Sequence, residues 1–172
     1  MNVGKVFEAD FSKSVPSEHL IYRLPDPAQS FGGSNTLRFS RRNPFDFILF
    51  DSYHRNLYAL ELKTVKPKSI SFERTKDDKG DIHYYQIEGL NIWNQYSGVI
   101  CGFVIGFRSI ETTVFIDIEE FNRLIKLIDK KSFSFSDLTT YGITHYIIPQ
   151  QKMRTHYKYD VGSFLEQTKG LK

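Results

Sequence analysis

The stretch Asn43–Lys66, NPFDFILFDSYHRNLYALELKTVK, decides how the rest of this chain is read. Two apolar runs, Phe45–Phe50 and Leu57–Val65, flank a polar turn and predict a β-hairpin. Side chains alternate between the two faces of a strand. Leu57, Ala59, Glu61 and Lys63 therefore share one face, and Tyr58, Leu60 and Leu62 share the other. Asp46, on the first run, is within reach of the same spot. Two carboxylates and an ammonium on a half-buried sheet are costly unless they bind something, and a divalent metal with a nucleophilic water is the natural candidate. The competing reading is a solvent-facing Glu61–Lys63 pair of little energetic consequence.

The pattern, an acid followed across a turn by Glu61-Leu62-Lys63, suits phosphodiester hydrolysis. That reaction needs a metal to draw charge from the phosphate and to lower the pKa of a bound water. Mg²⁺ prefers hard oxygen ligands and keeps several waters, so Asp46, Glu61 and the carbonyl of Leu62 suffice as protein donors. Lys63 faces the same way as Glu61, where it orients the water or stabilises developing charge. Glu8, on the flank of an amino-terminal helix, offers another carboxylate. Gln86 sits among aromatic residues, where its amide needs a partner.

Composition narrows the class. The chain has 172 residues, 40% of them apolar and 25% charged, which predicts one globular domain with a substantial core. The net charge of +3 permits a polyanionic partner without demanding one. One cysteine, Cys101, lies inside the apolar run GVICGFVIGF, so no intrachain disulfide forms, and a reducing cytoplasm is expected. Neither a signal-peptide core nor an apolar run long enough to cross a membrane is present, so no membrane partner is expected. The histidines lack metal-site spacing, and no P-loop or GxGxxG motif points to a nucleotide cofactor.

Outward from the hairpin, Val3, Phe7, Phe11 and Val15 recur every fourth residue, predicting an amphipathic helix that stops before Pro16. A short apolar piece, His19–Leu24, follows. Residues 28–44 are rich in Gly, Ser and Asn and carry Arg38, Arg41 and Arg42. They read as a surface loop or as a basic arm that contacts a phosphate backbone. Lys5 and Lys66 are further candidates for that contact. Residues 67–81 look like a polar connection, 82–97 a helix with Ile82, Tyr85, Gly89 and Trp93 along one side, and Val99–Phe107 a strand buried on both faces. A strand over Thr112–Ile118, a helix over 119–131, a strand over Ile143–Ile148 and a last helix over Val161–Gln167 complete the order. Lys152, Arg154, His156 and Lys158 alternate as one basic strand face. The fold class is α/β, a mixed central sheet flanked by helices.

Several motifs in order resemble the RecU-type Holliday-junction resolvases, members of the restriction-endonuclease-like PD-(D/E)xK nucleases. They are NVGKVFE at 2–8, Asp46 before the hairpin, LELK at 60–63, SISF at 69–72 and HYYQIEGL at 83–90, followed by the apolar strand after Gly98. The match spans residues 2–107. Asn43-Pro44-Phe45 stands where that family has a Thr-rich segment. The resemblance implies a restriction-endonuclease-like core, with Glu8, Asp46 and Glu61 near a Mg²⁺ or Mn²⁺ ion, Lys63 as the catalytic lysine and Gln86 supporting the site. It further implies a homodimer that cuts opposing strands of a four-way DNA junction, with residues 28–44 as counterpart of the family's stalk. A same-fold nuclease acting on other DNA, in restriction, repair or end processing, stays open beside it, as does a DNA-binding or scaffolding protein without catalysis.

Overall fold

The computed structural model describes residues 2–25 and 42–172; Arg38, Arg41 and most of the arm expected over 28–44 lie outside the described residues. The chain opens with α1 (Val3–Ser14) and β1 (Leu20–Arg23), then β2 (Phe47–Asp51), β3 (Asn56–Val65) and β4 (Ser69–Ser71). Next come α2 (Tyr84–Trp93), β5 (Val99–Phe107), a 3-10 turn over Arg108–Ile110, β6 (Thr112–Asp117) and α3 (Ile118–Leu127). The remainder is β7 (Ser132–Ser134), α4 (Phe135–Thr140), β8 (Tyr146–Ile148), β9 (Gln150–Lys152), β10 (Tyr157–Tyr159) and α5 (Val161–Thr168).

Six strands form one mixed sheet in the order β1-β2-β3-β5-β6-β8. β3 and β5 are its parallel pair, in register from Leu57 opposite Val99 to Val65 opposite Phe107, and α2 lies in the crossover that a parallel pair requires. The other neighbours run antiparallel. Ala59, Cys101, Phe103 and Ile105 pack on one face against Ile87 and Leu90 of α2 and Phe121 and Leu124 of α3. Tyr58, Leu60, Ile100 and Val104 pack on the other against Phe7 and Phe11 of α1 and Phe164 and Leu165 of α5. The fold is thus a mixed α/β sheet flanked by helices on both faces. All nine residues of β5 are buried, as its unbroken apolar run demands. At Gly102 a Cβ would come within 2.3 Å of the Ile116 carbonyl oxygen and 2.6 Å of the Phe115 ring, so only glycine lets β6 approach.

Departures from the sequence reading have local causes. In α1 the buried residues are Phe7, Asp10 and Phe11, while Val3, expected on the apolar stripe, is 45% exposed. Asp10 is buried because it accepts hydrogen bonds from the Tyr157 amide, 3.0 Å, and lies 3.0 Å from His156 Nδ1. The helix expected over 82–97 ends at Trp93 with Asn94 as its cap, and its buried residues are Gln86, Ile87, Gly89 and Leu90 rather than a stripe through Tyr85 and Trp93. The polar connection after the hairpin contains β4, which pairs with β7 across more than sixty residues, a non-local pairing without periodic signal. The strand expected over 143–148 is paired only at Tyr146–Ile148. The expected basic strand face is instead a hairpin of β9 and β10, in which Lys152 pairs with Glu111 and His156 with Asp10, so it is not one continuous row. Cys101 is a core residue whose thiol is pushed up to about 12 by burial, far from nucleophilic. Among the described residues no helix is long and apolar enough to cross a membrane.

Candidate active site

β2 and β3 pair from Phe47 opposite Leu60 to Asp51 opposite Asn56, so the last five residues of β3 extend beyond its neighbour. The chain just before β2 closes this notch. The Asp46 amide donates to the Leu60 carbonyl at 3.0 Å, and the Asp46 carboxylate takes the next position, its Oδ2 accepting from the Leu62 amide at 2.8 Å. In a strand the amide and carbonyl of one residue point the same way, so the Leu62 carbonyl also faces the notch.

Glu61 and Lys63 lie on the same face of β3, as their parity requires. Lys63 Nζ is 3.1 Å from Glu61 Oε1. Gln86 Nε2 donates to the same oxygen, while Gln86 Oε1 accepts from the His83 amide at 2.9 Å. The glutamine thus caps the amino-terminal turn of α2 and ties it to β3. Pro44 fixes how this helix sits, since a Cβ on Gly89 would come within 2.3 Å of the proline Cβ. Glu61 is 3% exposed, so the solvent-facing pair is not what forms.

The electrostatics are those of a crowded acid pair. Burial, then the charges of Asp46 and Glu8, raise Glu61 to about 8 against the pull of Lys63. Burial also raises Asp46 to about 6, with Glu8 adding to it while the Leu62 amide, Lys63 and Arg23 oppose. Glu8 sits on α1, which packs against the opposite face of the sheet from α2, and its field reaches both acids through the notch. Its carboxylate is engaged by Arg23 Nε of β1 at 2.7 Å.

These residues suit a hard divalent cation. Asp46 and Glu61 each spend one oxygen on the protein frame, Oδ2 and Oε1, and keep the other. Burial first, and neighbouring carboxylates after it, disfavour the ionised form of both acids, and a cation between them would offset both effects. Among the described residues no group of three or more His, Cys, Asp or Glu side chains is placed to share an ion. Two carboxylates and one carbonyl could serve an ion that keeps much of its hydration.

Asp46, Glu61, Gln86, Leu24, Arg42, Asn43, Phe45 and Tyr85 line one cleft of about 250 Å³. The structure thus brings together Asp46, Glu61, Leu62, Lys63 and Gln86, sets Glu8 behind them, and puts Arg42 at the rim. Lys5 lines a neighbouring groove with Glu8, Lys13 and Arg23, whereas Lys66 is exposed beyond the end of β3. Sequence reasoning missed Arg23, whose only signal was one charge closing an apolar piece. It also missed Tyr85, assigned to the helix core; burial and then the Glu61 charge raise its phenol pKa.

No protein-family model matches this chain. It is 35% identical over 133 residues to the SPbeta prophage-derived uncharacterized protein YotM of Bacillus subtilis (strain 168), an alignment that takes in 76% of this chain. The chain spans 63% of that protein's length. Among solved structures, that of Archaeoglobus fulgidus Hjc, a Holliday junction resolvase from an archaeal hyperthermophile, is similar with a TM-score of 0.48 at 14% identity, covering 80% of this chain and 93% of that one.

Proposed function

We propose that this protein is a metal-dependent DNA endonuclease of the restriction-endonuclease-like kind, acting as a homodimer on four-way junctions. The observation that carries the reading is the convergence of Asp46, Glu61, Lys63 and Gln86 at the open end of β3. Hydrolysis of a phosphodiester needs a place for a hard cation, a group that handles the proton of the attacking water, and positive charge for the phosphate. Asp46, Glu61 and the Leu62 carbonyl would hold Mg²⁺ or Mn²⁺, which when bound supplies Lewis acidity and an acidified water. Lys63, 3.1 Å from Glu61, positions that water and offsets charge on the phosphate oxygens. Gln86 keeps Glu61 Oε1 fixed, so the other oxygen has one direction to point. Burial of Glu61 excludes bulk water and strengthens each of these interactions.

Junction selectivity rests on the sequence resemblance, and the homodimer follows from it, since a junction with two-fold symmetry suits a two-fold protein. The test is a parallel digest, with Mg²⁺, of a mobile four-way junction, a linear duplex and single strands. Paired nicks in opposing strands of the junction, at least about tenfold faster than any cut in the duplex, are expected. Equal rates on all three would leave a nuclease of other purpose. No cutting with Mg²⁺ or Mn²⁺ would defeat the enzyme reading and favour a DNA-binding protein.

A further inference from the structure

Arg42 and Tyr85 share the rim of the cleft that holds Asp46 and Glu61. The guanidinium carbon of Arg42 lies 5.4 Å from the centre of the Tyr85 ring, a separation at which the ring's electron-rich face attracts a cation. Arg42 is exposed and, although acids line the same cleft, it makes no ion pair among the described residues. Tyr85 is itself braced. The His83 ring stacks on it with centroids 5.5 Å apart and planes 13° from parallel. His83 Nδ1 lies 2.8 Å from Glu73 Oε1, and Glu73 Oε2 accepts from the Tyr84 amide at 2.8 Å. A chain of contacts, Glu73 to His83 to Tyr85 to Arg42, thus runs out from the turn of α2 that carries Gln86.

A guanidinium held by attraction to a ring face keeps its N–H donors for other partners. Arg42 shares the cleft with Asp46 and Glu61, yet it makes no ion pair with either among the described residues. Its donors are therefore available to an anion that enters the cleft. We infer that Tyr85 is a positioning residue: it holds Arg42 at the rim so that the guanidinium grips a backbone phosphate of a nucleic-acid strand entering the cleft. This rests on the nuclease reading for the nature of the strand. The contact is to phosphate and not to a base, so it sets register on the strand without reading sequence.

The test reads binding, not cleavage. A fluorescent four-way junction of synthetic oligonucleotides is titrated with protein in EDTA across a KCl series, for wild type, Arg42→Ala, Tyr85→Ala, Tyr85→Phe and the double alanine variant. Arg42→Ala is expected to weaken binding about three- to tenfold. It also reduces the slope of log affinity against log salt by about one, the mark of one lost phosphate contact. Tyr85→Ala reproduces both effects, the double variant is no weaker than either single one, and Tyr85→Phe, which keeps the ring, restores binding and slope. If Tyr85→Ala melts early, Tyr85→Leu, which keeps bulk without the ring, replaces it. Additive losses in the double variant, or a Tyr85→Ala protein with the wild-type salt slope, would overturn the inference. So would weaker binding by Tyr85→Ala than by Arg42→Ala, which would mean that a base stacks on the ring. A wild type that binds in this coupled way but never cuts defeats the nuclease reading alone. A wild type that cuts but shows an additive cycle defeats this inference alone.

Discussion

Asp51 and Glu61 are both buried acids of the β2–β3 hairpin, at opposite ends of it, and their surroundings are opposed. Asp51 is 0% exposed, yet its pKa is lowered. Burial raises it, but bonds from the His54 ring, 2.6 Å, and from the amides of Tyr53, 3.0 Å, and His54, 3.3 Å, together outweigh that cost. Its neighbourhood is closed off in the same manner: Asn56 Nδ2 donates to the Lys169 carbonyl at 3.0 Å, and the Tyr58 hydroxyl meets Thr168 Oγ1 at 2.9 Å, so α5 is latched onto the hairpin. Glu61, 3% exposed, has two donors on one oxygen and two other acids within its field, and its pKa rises to about 8. Burial alone does not make an acid functional. What separates the two is whether the fold compensates the charge, and the acid left uncompensated is the one in a cleft.

The sharpest way to break this contrast is Glu61→Gln. Cleavage is expected to fall by at least about 1,000-fold in a junction digest, since the proposed metal ligand and the partner of Lys63 are lost together. The same variant should be more stable than wild type without metal. Glu61 keeps its proton in the fold up to about 8 but releases it in the unfolded chain near the ordinary glutamate value of 4.5. Between these values the folded state binds more protons, so metal-free stability is full below the lower one and is lost as pH rises toward the upper one. Melting in EDTA should therefore show wild type falling between pH 5 and pH 8 while Glu61→Gln falls less. At pH 8 the variant should melt about 3 °C or more above wild type. Equal melting of the two at pH 8 would mean that Glu61 carries no stored electrostatic cost.

Asp51→Ala should do the reverse. It strands the Tyr53 and His54 amides and removes the link to His54, for a loss of about 2–4 kcal/mol in urea unfolding. The folded fraction should still cut DNA at close to the wild-type rate. A stable Asp51→Ala protein would show that the bonds converging on this carboxylate contribute little to the turn they close. The smallest effect is expected at Gly89→Ala. Alanine improves helix propensity by up to about 1 kcal/mol, but its methyl overlaps Pro44, whose ring cannot turn aside, so a net loss of about 1–2 kcal/mol results. Pro44 lies two residues before Asp46, so cleavage should also drop, by about tenfold. Unchanged activity would separate the seating of α2 from the placement of Asp46.

The legible and illegible parts of the site divide along physical lines. The alternation of β3 put Glu61 and Lys63 on one side, and the structure has them 3.1 Å apart. An amide among aromatic residues implied a partner for Gln86, and the partner is Glu61, 25 positions away in the chain. The helix that starts the chain was visible in periodicity, and the buried strand Val99–Phe107 in its unbroken apolar run, matched residue for residue. The pairing of β4 with β7 and the short α4 were not, because three-residue strands carry too little pattern to stand out.

The sequence by itself determined which residues share a face and which runs must be buried, because both follow from local periodicity and the cost of hydrating apolar surface. Only the tertiary structure decided that β2 stops short of β3, leaving a notch where Asp46 replaces a strand residue. It likewise decided that Glu8 acts from the far face of the sheet while bound to Arg23, that Arg42 rests on Tyr85, and that Asp51 is satisfied where Glu61 is not. Register, strand length and helix seating are settled by packing among residues far apart in the chain, and the charge balance of each acid follows from them.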